Sequence, residues 1–135
     1  MSGLPIPTEG LHHVALRVRD LGRAKAFYAE VFGFQVVWEP DPKNSYLSSG
    51  SDNLALHEVA EDLASGSNQP LDHLGLIVAT PEMVDYAAGE LRRRVVPIVH
   101  EPRTHRDGSR SLYCRDPDGN TIQILFEPSI SNRRR

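Results

Sequence analysis

The sequence predicts an α+β fold built from two βαβββ modules in tandem, with mixed sheets curved into a cup. Three observations carry this. The segment His13-Val14-Ala15-Leu16-Arg17-Val18 returns as His73-Leu74-Gly75-Leu76-Ile77-Val78, an offset of 73 − 13 = 60 positions. Helix-start residues recur at the same offset, Asp20 and Thr80. In each half the helical pattern is followed by three short strand patterns separated by turn residues.

The elements read in order. Residues 12–18 alternate as a strand; Asp20 then caps a helix whose apolar positions Leu21, Ala24, Phe27, Tyr28 and Val31 follow helical spacing up to Gly33. Phe34 to Trp38 is the next strand, Asp41-Pro42 a turn, and Ser45–Ser49 and Leu54–Val59 two further strands. The second module restarts at His73–Val78. Thr80-Pro81-Glu82 opens an amphipathic helix running to Arg94. Val95–His100, Ser111–Arg115 and Thr121–Phe126 complete the strands, the last two joined by the turn Asp116-Pro117-Asp118-Gly119-Asn120. The chain, 1–135, is therefore one domain, with module one at about 11–60, a linker at about 61–71, module two at about 72–127 and a tail at 128–135.

Composition narrows the function classes. At 39% hydrophobic and 24% charged residues the chain has the profile of a soluble globular domain, and no apolar run approaches the roughly 20 residues a membrane helix needs. The N-terminal stretch lacks the basic and apolar regions of a secretory signal, which leads to a cytoplasmic expectation. The net charge of −3 and a single basic run, Arg133-Arg134-Arg135, without interleaved aromatics argue against nucleic acid as partner. Cys114 is the only cysteine and has no histidine at a recognisable spacing, so it reads as structural.

Side chains alternate along a strand, so His13, Ala15 and Arg17 share one face, as do His73, Gly75 and Ile77. Leu54 and Leu56 turn under the helix, which sends His57 to the other face; Gln123 is the polar residue of the closing strand in the second copy. A lone strand histidine is more often structural than ligating. Here the repeat relates two histidines and adds His57 and Gln123, so a symmetric fold would gather four donors around a cation. Nitrogen donors favour Zn, Ni, Co, Cu or Fe over Mg or Ca. Arg17 reads equally as a rim residue or as a clamp for a substrate carboxylate or phosphate. Tyr46, Trp38, Tyr113 and Phe126 read as core first, and His100 and His105 as solvent-facing or supporting residues.

From about Leu11 to Glu127 the chain resembles the vicinal oxygen chelate superfamily, which includes glyoxalase I, methylmalonyl-CoA epimerase, extradiol dioxygenases and the bleomycin resistance proteins. The resemblance rests on His13-Val-Ala-Leu-Arg-Val-Arg-Asp20, Phe27-Tyr28 before Phe32-Gly33-Phe34, Asn53-Leu-Ala-Leu-His57-Glu, and Ser111-Leu-Tyr-Cys-Arg-Asp-Pro-Asp-Gly-Asn120. It is greatest to glyoxalase-domain proteins of unassigned substrate. It implies a divalent transition metal (Zn, Ni, Co or Fe) held by His13, His57, His73 and Gln123, with Arg17 on the substrate. It also implies a homodimer in which modules pair within one chain or between two.

The family usually places glutamate where this chain has Gln123, and an amide has no basicity to move a proton. The catalytic residue is thus unassigned. The leading expectation is a metal-dependent lyase or isomerase of glyoxalase type acting on a small oxygenated substrate. One alternative is an Fe(II)-dependent extradiol-type dioxygenase, disfavoured because ring-cleaving members use two histidines and a glutamate. The other is a non-catalytic drug-binding resistance protein.

Overall fold

The computed structural model describes residues 5–8, 10–63 and 69–131. The chain divides into two compact units, Met1–Ala60 and Glu61–Arg135. The Arg133-Arg134-Arg135 tail and residues 64–68 of the expected linker lie outside the described residues.

The first unit runs β1 (His13–Val18), α1 (Leu21–Phe32), β2 (Gln35–Asp41), β3 (Asn44–Ser48), β4 (Asn53–Glu58). Its four strands form one sheet in the order β1-β4-β3-β2, with β1 parallel to β4 and the other neighbours antiparallel. Helix α1 starts where Asp20 accepts a hydrogen bond from the Arg23 amide, and it stops at Gly33, whose φ of 74° lets the chain reverse without a Cβ clash. Its buried positions Leu21, Ala24 and Tyr28 meet Leu16, Val18, Leu47, Leu54 and Leu56, all at most 5% exposed, on one face of the sheet. Glu58 joins this face, where its Oε1 accepts from the Leu21 amide at 2.8 Å and satisfies a helix-start donor.

The second unit repeats the plan: β5 (Leu74–Ile77), α2 (Pro81–Arg93), β6 (Ile98–Thr104), β7 (Arg110–Arg115) and β8 (Thr121–Phe126), in the order β5-β8-β7-β6. Thr80 caps α2 with Pro81 in its first turn; Glu82 near the start and Arg92 and Arg93 near the end complement the helix dipole. Val84, Ala88 and Leu91 are buried, as are Leu112, Cys114, Ile122 and Ile124 of the sheet. The α+β class and the twin βαβββ order are as the sequence predicts.

Several details differ: β2 runs on to Asp41, past the expected end at Trp38, and β6 runs on to Thr104, past His100. Strand β6 begins at Ile98 rather than Val95, because Val95 takes a left-handed φ of 58° and Pro97 lacks an amide hydrogen for a ladder. His73 lies one residue before β5. A one-turn helix, α3 (Pro128–Ser131), follows β8, with Glu127 accepting from the Ser129 amide at 3.2 Å and the Ile130 amide at 3.0 Å.

Candidate functional site

Strand register decides which side chains share the face turned away from each helix. In the first unit the Cα partners on that face are Ala15, Ala55, Tyr46 and Trp38 along one line across the sheet. Arg17, His57 and Asn44 form the next line. His13 pairs with Asn53 on the opposite side of the alanine line. In the second unit the corresponding line is Gly75, Gln123, Tyr113 and His100.

Histidine 57 is the best supported side chain of the first unit. Its Nδ1 lies 2.6 Å from Asn44 Oδ1, and its ring meets Tyr46 edge-on at 5.7 Å. Asn44 Nδ2 in turn donates to Asp41 Oδ1 at 2.9 Å and Oδ2 at 3.0 Å. The two-residue Pro42-Lys43 loop makes this possible by setting Asp41 opposite Asn44. Asp41 stays ionised below its ordinary range, chiefly because the Lys43 amide and then the Asn44 amide donate to it. Arg17, beside His57, makes no hydrogen bond or ion pair among the described residues.

Tyr46 and Trp38 stack at 5.0 Å with 26° between their planes, on the same face as His57. Trp38 is 60% exposed, so this pair is not the core residue set that aromatic character suggests. The cause is pairing: Trp38 and Tyr46 are opposed across β2 and β3 and inherit the face of Ala55, while Leu47 and Ser45 take the helix side.

In the second unit His73 Nδ1 donates to Asp72 Oδ2 at 2.7 Å, because a carboxylate only accepts, and its other nitrogen is left without a hydrogen bond among the described residues. Tyr113 stands between His73 and His100, with ring centroids 5.4 Å from each. His105 is the supporting residue of a hydroxyl, its Nε2 lying 3.1 Å from Ser111 Oγ. His13 shares a hydrogen bond with its neighbour, His12 Nδ1 to His13 Nδ1 at 2.9 Å. Cys114 is fully buried and its thiol is pushed up to about 12 by burial, then by the charge of Asp116, which removes it from any nucleophilic role.

The sequence treats His57 as the first-module counterpart of Gln123, and register assigns that place to Ala55. Ala55 and Gln123 each pair with a tyrosine and with the residue two beyond the repeat histidine. His13 and His57 are therefore four residues apart along parallel strands, about 13 Å, beyond the reach of two imidazoles to one ion. His73 and Gln123 are offset by two residues, about 7 Å. Within each unit, among the described residues, no three His, Cys, Asp or Glu side chains gather as a metal site. Asn44 and Asp41 are the residues that sequence reasoning missed; only the hairpin register reveals them.

The model of the Glyoxalase/Bleomycin resistance protein/Dioxygenase superfamily matches residues 10–124. The chain belongs to this superfamily. It is 31% identical over 120 residues to the virulence protein STM3117 of Salmonella typhimurium, covering 84% of this chain and 81% of that one. It is 29% identical to a catechol-2,3-dioxygenase of Bacillus subtilis, covering 91% of this chain but 43% of that longer protein. The lactoylglutathione lyase structure from Agrobacterium tumefaciens matches with a TM-score of 0.74 at 24% identity, over 93% of this chain and 98% of that one, a likeness of fold. Superfamily members typically bind a divalent metal. Among the described residues no helix is long and apolar enough to cross a membrane.

Proposed function

We propose that this chain is a metal-dependent enzyme of glyoxalase type, a lyase or isomerase for a small oxygenated substrate, with His13, His73 and Gln123 as the metal donors and Arg17 on the substrate. The observation that carries the reading is His73. Its Nδ1–H is committed to Asp72, which fixes the ring and leaves Nε2 with its lone pair, the arrangement in which a carboxylate orients a metal-bound imidazole. Gln123 is within two residues of its register, and His13 repeats the position in the other half.

This donor chemistry fits a borderline ion, Zn, Ni, Co or Fe, better than Mg or Ca. A bound ion of this kind polarises a substrate carbonyl and supports negative charge on its oxygen. A homodimer in the cytoplasm is part of the same proposal. His57 is left outside the donor set by its register.

The test is elemental analysis of protein purified without added metal, beside His73→Ala and His13→Ala. Stoichiometric transition metal in the parent and its loss in both variants are expected; a metal-free parent, or variants that keep their metal, would overturn the reading.

The similarity to a catechol-2,3-dioxygenase supports a second reading, ring cleavage by an Fe(II) form. Oxygen uptake with catechol by anaerobically iron-loaded protein is its signature, and no uptake across a catechol series removes it.

A further inference from the structure

Asp41, Asn44 and His57 form a chain of hydrogen bonds whose polarity is fixed at every link. A carboxylate only accepts, so the Asn44 amide must present its Nδ2 to Asp41, at 2.9 and 3.0 Å, and its Oδ1 to His57. A carbonyl oxygen also only accepts. The proton of the neutral imidazole therefore sits on Nδ1, 2.6 Å from Oδ1, and the lone pair is on Nε2. That nitrogen makes no hydrogen bond among the described residues. The Cα partner of His57 is Arg17, whose guanidinium has no acidic partner among them either.

We propose that His57 is the catalytic proton acceptor of this protein, that Asn44 and Asp41 are its positioning residues, and that the substrate is an anionic α-hydroxycarbonyl compound whose anionic group lies on Arg17. The proposal deepens the isomerase or lyase reading above and rests on it. It supplies the base that Gln123, an amide, does not. In the step, His57 Nε2 takes a proton from the carbon beside the substrate carbonyl. The C–H electron pair becomes a carbon–carbon double bond while the carbonyl π pair moves onto oxygen. The imidazolium then returns the proton to the former carbonyl carbon while the substrate's own hydroxyl proton passes to the former carbonyl oxygen, so the hydroxyl-bearing carbon becomes the new carbonyl and neutral His57 is regenerated. A planar guanidinium carried at the register position of His57 favours a bidentate carboxylate or phosphate over a neutral group.

Hydroxypyruvate in D2O is the probe, with zinc-loaded protein and proton NMR following loss of its C3 hydrogens to solvent deuterium. Exchange by the parent protein is expected, slowed at least about 100-fold in His57→Gln with unchanged metal content and circular dichroism. A parent protein without exchange, a His57→Gln variant that exchanges equally fast, or loss of metal from that variant would each overturn the proposal. Nitrogen-15 spectra of metal-free protein test the positioning residues separately. The Nδ1–H tautomer is expected for His57 and is expected to give way to a mixture in Asn44→Ala. An Nε2–H tautomer in the parent, or spectra unaltered in Asn44→Ala, would overturn it. These spectra do not depend on metal, so a failed metal analysis and a failed relay are read apart.

Discussion

Ala55 of β4 and Gln123 of β8 occupy the same place in their two sheets. Each is paired with a tyrosine, Tyr46 or Tyr113, and with a small residue, Ala15 or Gly75. One half thus presents a methyl where the other presents an amide. The two halves share a scaffold and differ in the side chains it presents: the second half carries His73 with Gln123, and the first carries the Asp41-Asn44-His57 chain one line further along.

Gln123→Glu is the direct probe of that division. Replacing a neutral amide oxygen by a carboxylate strengthens a polar contact to a cation by about 1.4 kcal/mol, so metal should be held roughly 10-fold more tightly. Competition with a chelator measures this. Equal affinity in the two proteins would place Gln123 away from the ion.

Glu39 ties the edge strand β2 to the rest of the first unit. Its Oε2 accepts from Lys25 Nζ of α1 at 2.8 Å and from the buried Ser45 Oγ at 2.9 Å. The Lys25 hydrogen bond first, then that of Ser45, holds its carboxyl below the ordinary 4.5. A lowered folded value means that the stabilisation is complete above 4.5 and is lost as pH falls through the folded value. Glu39→Gln should therefore be less stable than the parent near neutrality, with the gap closing below pH 4.5. Urea midpoints against pH give the answer, and a gap of constant size would contradict it.

Local pattern made the elements legible, and pairing made the site. Strand β8 is legible to the residue, Thr121–Phe126, because Thr121 and Gln123 alternate with Ile122 and Ile124 before Leu125 and Phe126, and a Pro-Asp-Gly turn precedes it. The side of the sheet that His57 faces follows from its neighbours Leu54 and Leu56. Its counterpart across the repeat does not, since that depends on how β4 is registered against β1, a relation between residues 40 positions apart, 57 − 17. Trp38 and Tyr46 show the same limit: aromatic residues on strands suit either face, and only the β2–β3 pairing sends both to the side of His57.

Burial predicts the behaviour of Cys114. With the side chain fully enclosed and its thiol pushed up to about 12, almost no thiolate exists at neutral pH. Native protein should resist a thiol reagent such as iodoacetamide for as long as it stays folded, then react with one equivalent in denaturant, as mass spectrometry would register. Rapid modification without denaturant would show that the β7 core opens on the experimental timescale.

The ends of the two helices contain a built-in comparison. After α1 the chain turns on Gly33 at φ 74°, and after α2 it turns on Val95 at φ 58°, the one described residue other than glycine with a positive φ. A β-branched side chain in that region costs about 1–3 kcal/mol. Glycine there avoids the strain but loses more chain entropy on folding, about 0.5–1 kcal/mol. Val95 is 88% exposed, so replacing it forfeits little packing. The amide hydrogen bonds of this turn, Val95 to Arg92 O at 3.1 Å and Val96 to Leu91 O at 2.9 Å, survive the change. Strain outweighs entropy, and Val95→Gly should stabilise the protein by about 1 kcal/mol, seen as a higher urea midpoint at unchanged slope. The reciprocal Gly33→Val should destabilise by a similar amount; a Val95→Gly protein no more stable than its parent would mean that the turn is unstrained.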